Sequence, residues 1–261
     1  MTKLLFCDMD GTLIHENREI HPKNIEMMRE WKKHHHQIVL CTGRNIMECQ
    51  TVLKQLHIPY DYLVLNNGGH ILDKEETLYE KKIDHNIGCA ILDMTTQFNG
   101  LWSYYCDGKD NYAYINGRTL DHSGSSNIEV DGNFKDLYHQ TGDFQIICFH
   151  QENKEMDTTY YCLDYIRKYF SLDVEPHINL HYVDIVPPGC SKGEGVKTLL
   201  SLIDEKINKT YAIGDSYNDV SMFLNVDVSY TFDYADKEIR DHADKIVHYV
   251  YELIENELEE E

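Results

Sequence analysis

The segment Asp8-Met9-Asp10-Gly11-Thr12-Leu13 sets two carboxylates two residues apart, directly after the apolar run Leu4-Leu5-Phe6-Cys7. On an extended chain alternate side chains point the same way, so the pair can converge on one reacting centre. Gly11 lets the backbone turn sharply behind them. Three later segments add further polar groups. Thr42 brings a hydroxyl and neighbouring backbone N–H groups to the end of a second apolar run, Ile38-Val39-Leu40-Cys41. Ser191-Lys192-Gly193-Glu194-Gly195 brings an ammonium to a helix start in which two glycines are costly. Gly214-Asp215-Ser216-Tyr217-Asn218-Asp219 supplies two more carboxylates and an amide. Taken singly, these read equally as an acidic turn, a helix N-cap, a solvated lysine and a loop. In order, each at a strand end or a helix start, they form one coherent set.

The elements that must position this set follow from the hydrophobic pattern. Short apolar runs at 3–8, 38–41, 62–65, 211–213 and 226–230 alternate with helical segments, the first from His21-Pro22 to about His36 and the second from about Asn45 to Leu56. That alternation predicts a parallel sheet with helices on both faces, and open sheets of this kind take ligands at the carboxyl ends of their strands. The stretch from about Asp84 to Val186 differs. Its runs alternate with period two and carry ten of the 19 tyrosines, and two helical segments, about 86–98 and 157–170, lie among them. An antiparallel sheet with one covered face is expected there. The fold class is therefore α/β, a Rossmann-like doubly wound core over 1–82 and 188–261 with an inserted α+β cap domain over 83–187.

Composition narrows the partners. The 261 residues carry 24 basic and 45 acidic side chains, a net charge of −21 with histidine neutral. Such a body repels nucleic acid and anionic lipid, so neither is an expected partner. Residues 84–186 carry a net −10 and residues 252–261 six acids without a base, so the expected core carries only −5. No apolar run is long enough to span a membrane, and an acid at position 8 precedes any signal-peptide core. The eight cysteines contain no C-x-x-C pair and several lie in apolar runs, which favours buried thiols in a reducing cytoplasm. His34-His35-His36 reads as a helix end whose rings cap carbonyls, and the run Glu252 to Glu261 as a solvated helix end.

Carboxylate pair, hydroxyl, lysine and second carboxylate pair in this order resemble the four motifs of the haloacid dehalogenase superfamily of phosphatases, in its Cof-type branch with a large α/β cap. Asp8 to Thr12 is similar to motif one, Thr42-Gly43-Arg44 to motif two, Lys192 to motif three and Gly214-Asp215 through Asn218-Asp219 to motif four. Many relatives carry a Gly-Asn-Ala turn where this chain has Ser229-Tyr230-Thr231-Phe232-Asp233.

The resemblance implies a Mg²⁺-dependent phosphatase acting on a small phosphorylated metabolite. Asp8 would attack phosphorus and form an aspartyl-phosphate, and Asp10 would serve as acid and then base. Asp8, the carbonyl of Asp10 and Asp215 would hold Mg²⁺. Thr42, the Gly43 amide, Lys192 and Asn218 would bind phosphoryl oxygens, with Asp219 orienting Lys192 or a metal-bound water. Asn67, in Asn66-Asn67-Gly68-Gly69, and Arg44 are further candidates for substrate contact, Arg44 equally for tying its loop to a carboxylate. Two rival functions stay open: a sugar phosphomutase using the same intermediate, and a non-catalytic phosphate sensor. A dehalogenase needs neither Asp10 nor the metal ligand Asp215.

Overall fold

Strand β1 (Thr2–Asp8) is buried from Leu4 to Asp8, as a strand covered on both faces must be. The computed structural model describes residues 2–15, 19–123, 127–153, 155–179 and 181–259. After β1 come α1 (Pro22–Lys33), β2 (Gln37–Cys41), α2 (Ile46–Leu56) and β3 (Tyr62–Leu65). A hairpin follows, β4 (His70–Asp73) and β5 (Glu76–Glu80), then α3 (His85–Thr95). Strands β6 (Leu101–Cys106), β7 (Asn111–Ile115), β8 (Arg118–Asp121) and β9 (Ile128–Glu129) lead to α4 (Phe134–Gln140), β10 (Ile146–Gln151) and α5 (Asp157–Tyr169). The chain continues through β11 (Glu175–Asn179), β12 (Tyr182–Val186), α6 (Lys192–Leu202), β13 (Ile207–Ile213) and α7 (Val220–Phe223). It ends with β14 (Val228–Phe232), α8 (Lys237–Arg240), β15 (Lys245–Val247) and α9 (Val250–Glu259).

The contacts divide the chain into two units. The first holds Met1–Thr42, Leu56–Glu80 and Ser191–Glu261, and the second Gly43–Gln55 and Lys81–Cys190.

The first unit is built on an eight-stranded sheet in the order β15-β14-β13-β1-β2-β3-β4-β5. It is parallel from β15 to β3, and β4 and β5 are antiparallel. The expected parallel core is there, with an antiparallel hairpin added at its β3 edge. Asn66-Asn67-Gly68-Gly69 is too short a link for the crossover of about a dozen residues that a parallel neighbour needs. Register levels the strand ends: Asp8 lies opposite Cys41, Cys41 opposite Val64, and Cys7 opposite Ile213. Strand order reverses about β1, so the residues leaving β1 and β13 flank the switch point of the sheet.

Helix α1 stops at Lys33, short of the expected His36. The backbone N–H groups of His34 and His35 close on the carbonyls of Glu30 and Lys32, and His35 turns into the left-handed region at φ 61°. Backbone groups make that cap. His36 instead packs edge-on against Trp31, with ring centres 4.6 Å apart.

The second unit carries a seven-stranded antiparallel sheet, β11-β12-β10-β6-β7-β8-β9. Its core joins Tyr105 and Phe149 of the sheet to Leu92, Phe134, Tyr138, Leu163 and Ile166 of α3, α4 and α5. Helix α4 and strand β11 have no counterpart in the hydrophobic pattern of the sequence. β11 is an edge strand, the position where Pro176 is tolerated. Residues 43–55 join this unit through Glu48, whose Oε1 accepts from Asn111 Nδ2 at 3.1 Å. Among the described residues no helix is long and apolar enough to cross a membrane.

Candidate active site

Lys192 opens α6 with its side chain only 2% exposed. Its Nζ donates to Asp8 Oδ1 at 2.5 Å and to Asp219 Oδ1 at 2.6 Å. Ser191 caps the helix by accepting from the Glu194 N–H. The glycines that looked costly have a packing reason. A Cβ on Gly193 would lie 2.2 Å from the Ser221 carbonyl oxygen, and one on Gly195 2.4 Å from Val64 Cγ1. Only bare backbone lets α6 seat this closely on α7 and β3, and that seat delivers Lys192 to the end of β1.

Asp219 uses both of its oxygens. While Oδ1 holds Lys192, Oδ2 accepts from the backbone N–H groups of Asp215 and Ser216 at 3.0 and 2.9 Å, and from Ser216 Oγ at 3.1 Å. The turn after β13 is thereby folded around one carboxylate. Asp215 Oδ1 in turn accepts from Thr12 Oγ1 at 2.6 Å. Gly11 adopts φ +89°, and a Cβ there would lie 2.4 Å from Asp215 Oδ2, so glycine is required for the loop after β1 to close against Asp215. The Gly11 carbonyl accepts from Tyr234 Oη at 2.8 Å. Asp10 is half-buried in the turn that the Leu13 and Ile14 N–H groups close onto the Met9 carbonyl.

Thr42 is buried at the end of β2, where its N–H donates to the Val64 carbonyl at 2.9 Å. Its carbonyl accepts from the Asn67 N–H at 3.1 Å. Asn66 and Asn67 both sit in the left-handed region, at φ 51° and 48°, a conformation asparagine tolerates better than other non-glycine residues. Asn67 Oδ1 accepts from Asn218 Nδ2 at 3.2 Å, and Asn218 Oδ1 accepts from Ser216 Oγ at 2.7 Å. The structure therefore brings Asp8, Lys192, Asp215 and Asp219 together at one end of the sheet, with Thr42, Asn67 and Asn218 linked in a hydrogen-bonded chain. Gly43 and Arg44 belong to the second unit.

Three carboxylates around one ammonium leave the site electronegative. Burial and the nearby Asp219 charge push the Asp8 carboxyl well above its usual range, and Lys192 opposes this only in part. Burial and Asp219 likewise push Asp215 up to about 6. Burial disfavours the charged form of Lys192, but Asp219 and Asp8 outweigh it and hold the ammonium protonated. Asp8 Oδ2 is buried with no hydrogen-bond partner, which is costly for a carboxylate oxygen. One oxygen each of Asp8, Asp215 and Asp219 lies within 4.8 Å of the others. Oxygen-only donors, excess negative charge and an orphaned buried oxygen fit a hard divalent cation such as Mg²⁺. Since Asp219 is engaged at both oxygens, Asp8 and Asp215 are the carboxylates left to bind it.

Four contributors escaped the sequence reading as functional residues: Thr12, Ser216, Ser221 and Tyr234. Ser221 Oγ accepts from the Gly193 N–H at 3.0 Å. Thr12 and Ser216 lie inside segments singled out for their carboxylates, whose prominence hid the hydroxyls. Tyr234 follows directly on Ser229 to Asp233, where the sequence departs from the relatives' pattern, and that departure was the one available signal.

A model of haloacid dehalogenase-like hydrolases matches residues 5–252. The chain is 25% identical to the 5-amino-6-(5-phospho-D-ribitylamino)uracil phosphatase YwtE of Bacillus subtilis, over 85% of this chain and 84% of that one. It is 23% identical to an HMP-PP phosphatase of Escherichia coli O6:H1, over 92% and 87%. The solved structure of the subclass IIB sugar phosphatase BT4131 superposes with a TM-score of 0.76 at 16% identity, covering 97% of this chain and 98% of that one.

Proposed function

Because the chain belongs to the haloacid dehalogenase-like hydrolase family, we propose that it is a Mg²⁺-dependent phosphatase of a small phosphorylated metabolite, working through an aspartyl-phosphate on Asp8. The observation that carries this reading is the state of Asp8. One oxygen is fixed on Lys192 and the other is buried and unpartnered at the carboxyl edge of the sheet. A carboxylate so held has lost the solvation that blunts a nucleophile, and Lys192 fixes its orientation.

In the proposed reaction Asp8 attacks phosphorus and the ester oxygen leaves with a proton from Asp10. Water then attacks the aspartyl-phosphate, giving its proton to Asp10 and releasing inorganic phosphate and free Asp8. Lys192, Thr42, the Gly43 N–H and Asn218 would neutralise and orient the phosphoryl oxygens. Asp219 keeps Lys192 charged and in place. Asp8, the Asp10 carbonyl and Asp215 would hold Mg²⁺, which supplies charge neutralisation for the phosphoryl group. Arg44 and Asn67 would contact the rest of the substrate. Relatives named as phosphatases of small phosphorylated compounds support the substrate class. Among the described residues none of the eight cysteines forms a disulfide, which supports a reducing, cytoplasmic location.

The test is hydrolysis of p-nitrophenyl phosphate with Mg²⁺, with EDTA, and by Asp8→Asn. Activity that needs Mg²⁺ and vanishes in the variant is expected. Wild-type turnover by Asp8→Asn, with its fold verified by circular dichroism, would overturn the mechanism.

A further inference from the structure

A second cluster of ligand-type side chains lies within the second unit, and the reaction proposed above uses none of its residues. His85 and Cys89 stand one turn apart on α3, and His139 lies in the last turn of α4. One donor atom from each falls within 4.8 Å of the others. We propose that His85, Cys89 and His139 form a binding site for a borderline-soft divalent transition metal, Zn²⁺ foremost.

The donor set chooses the metal. Two imidazoles and a thiolate suit Zn²⁺ and its neighbours in the transition series, whereas Mg²⁺ and Ca²⁺ demand oxygen. Distances agree. With Zn–N about 2.0 Å and Zn–S about 2.3 Å, donors on a tetrahedron stand about 3.3–3.6 Å apart. Cys89 Sγ is 3.6 Å from His85 Nε2. His139 has its side chain 41% exposed, free to make the remaining adjustment by rotation.

The surroundings hold the donors ready. His85 Nδ1 lies 3.3 Å from the Gly142 carbonyl. A proton held there leaves the lone pair on Nε2, beside Cys89, which is the usual way an outer hydrogen bond selects the ligating nitrogen. The ring is stacked on Phe144 at an interplanar angle of 5°. Gly88 makes room for that stack, because a Cβ there would fall 2.1 Å from Phe144 Cδ2. On the α4 side, Asp93 Oδ1 accepts from Lys135 Nζ and Tyr138 Oη at 2.6 and 2.8 Å, fixing the helix that carries His139. Asp93 Oδ2 lies 3.6 Å from His139 Nε2, the carboxylate–imidazole pairing found behind many metal-bound histidines. Without metal the Cys89 thiol donates to the Tyr138 carbonyl at 3.5 Å. Binding forms the S–metal bond, breaks S–H and releases that proton to water, with no change in oxidation state. Three protein ligands leave the fourth position to water, and the metal ties α4 to α3.

The test uses Co²⁺ as a coloured substitute on the full-length chain, stripped of metal and then saturated with Mg²⁺ to fill the oxygen site. One equivalent of Co²⁺ should give intense thiolate-to-metal absorption in the near ultraviolet, which Zn²⁺ displaces. Cys89→Ser should abolish the band. His139→Ala, at an exposed position that leaves the core intact, should weaken Zn²⁺ binding by about 100-fold and remove the rise in thermal midpoint that Zn²⁺ gives the wild type. Absence of the band, or Co²⁺ and Zn²⁺ binding unchanged in both variants, would overturn the assignment.

Discussion

Asn218 donates from its side-chain amide to Asn67 Oδ1 at 3.2 Å, joining the turn after β13 to the loop after β3. The same Asn67 donates its backbone N–H to the Thr42 carbonyl. One residue thus sets the spacing between two groups assigned to the phosphoryl oxygens. Asn67→Ala should lose the hydrogen bond and place alanine in a left-handed conformation, at a combined cost of about 2–3 kcal/mol. Urea unfolding measures that loss. On p-nitrophenyl phosphate, kcat/KM should fall by about tenfold or more. Unchanged stability and kinetics together would refute the role.

Asp8→Asn separates function from stability. Turnover should drop by at least about 1,000-fold, while the metal-free variant unfolds at or above the wild-type temperature. The sign follows from burial: Asp8 is charged at a cost, next to Asp219, and the amide removes that repulsion. A large loss of thermal stability would contradict this electrostatic account.

Lys192→Met should do the reverse. Asp8 and Asp219 would remain buried without their ammonium, and breaking a buried pair in this way costs about 3–5 kcal/mol. The additional substitution Asp219→Asn should recover part of the stability and none of the activity. Chemical denaturation of the single and double variants reads the difference.

Thr12→Val tests how Asp215 is held. Removing the 2.6 Å hydrogen bond frees the carboxylate to rotate, and loss of such outer-shell support commonly weakens metal binding by about 10–100-fold. Titrating activity with Mg²⁺ should show the half-saturating concentration raised by that factor, with kcat recovered at high Mg²⁺. Asp215→Asn should not be rescued.

Glu257 predicts the acid limb of stability. It is fully buried on α9. Burial alone would raise its carboxyl, but its partners, Tyr230 and Lys245 foremost, outweigh burial and hold it down at about 2, below the usual 4.5. A depressed carboxyl stabilises the fold above pH 4.5, and that contribution drains away as pH falls from 4.5 toward 2. The amount is on the order of 3 kcal/mol. Glu257→Gln should be less stable at neutrality and show a flatter profile across that window, measured by denaturation at successive pH values.

The parts of this molecule legible in its sequence are those in which one rule dominates. Buried parallel strands write themselves as unbroken apolar runs, so the ends of β1, β2 and β3, and with them Asp8 and Thr42, could be located within a residue or two. The missed parts obey rules that compete. Helix α4 spans only seven residues, too few for a helical period to declare itself. The last helix shows Val250, Leu253 and Ile254 on its buried face, and the next position of that stripe is Glu257. Within a run of glutamates it reads as solvent-facing, and partners outside that run, Tyr230, Lys245 and Lys209 among them, make its burial possible. Tyr234 and Thr12 act through single hydrogen bonds to partners more than 200 residues away, and such pairings leave no local pattern.

The pairing of β1 with β13 also dictates an order of assembly during synthesis. Thr2 to Cys7 need Ile207 to Ile213 on one side, so one row of backbone groups on β1 stays unmatched until some 200 further residues have been translated. Residues 43–55 and 81–190 are all available before that strand exists. As the chain emerges from the ribosome, the second unit can close first, while β1 waits with a bare edge that invites wrong partners. Helix α9 then completes the work: Glu257 offers its carbonyl to Lys3 and its carboxylate to Lys245, so α9 ties down β1 and β15 together once β13 is in place.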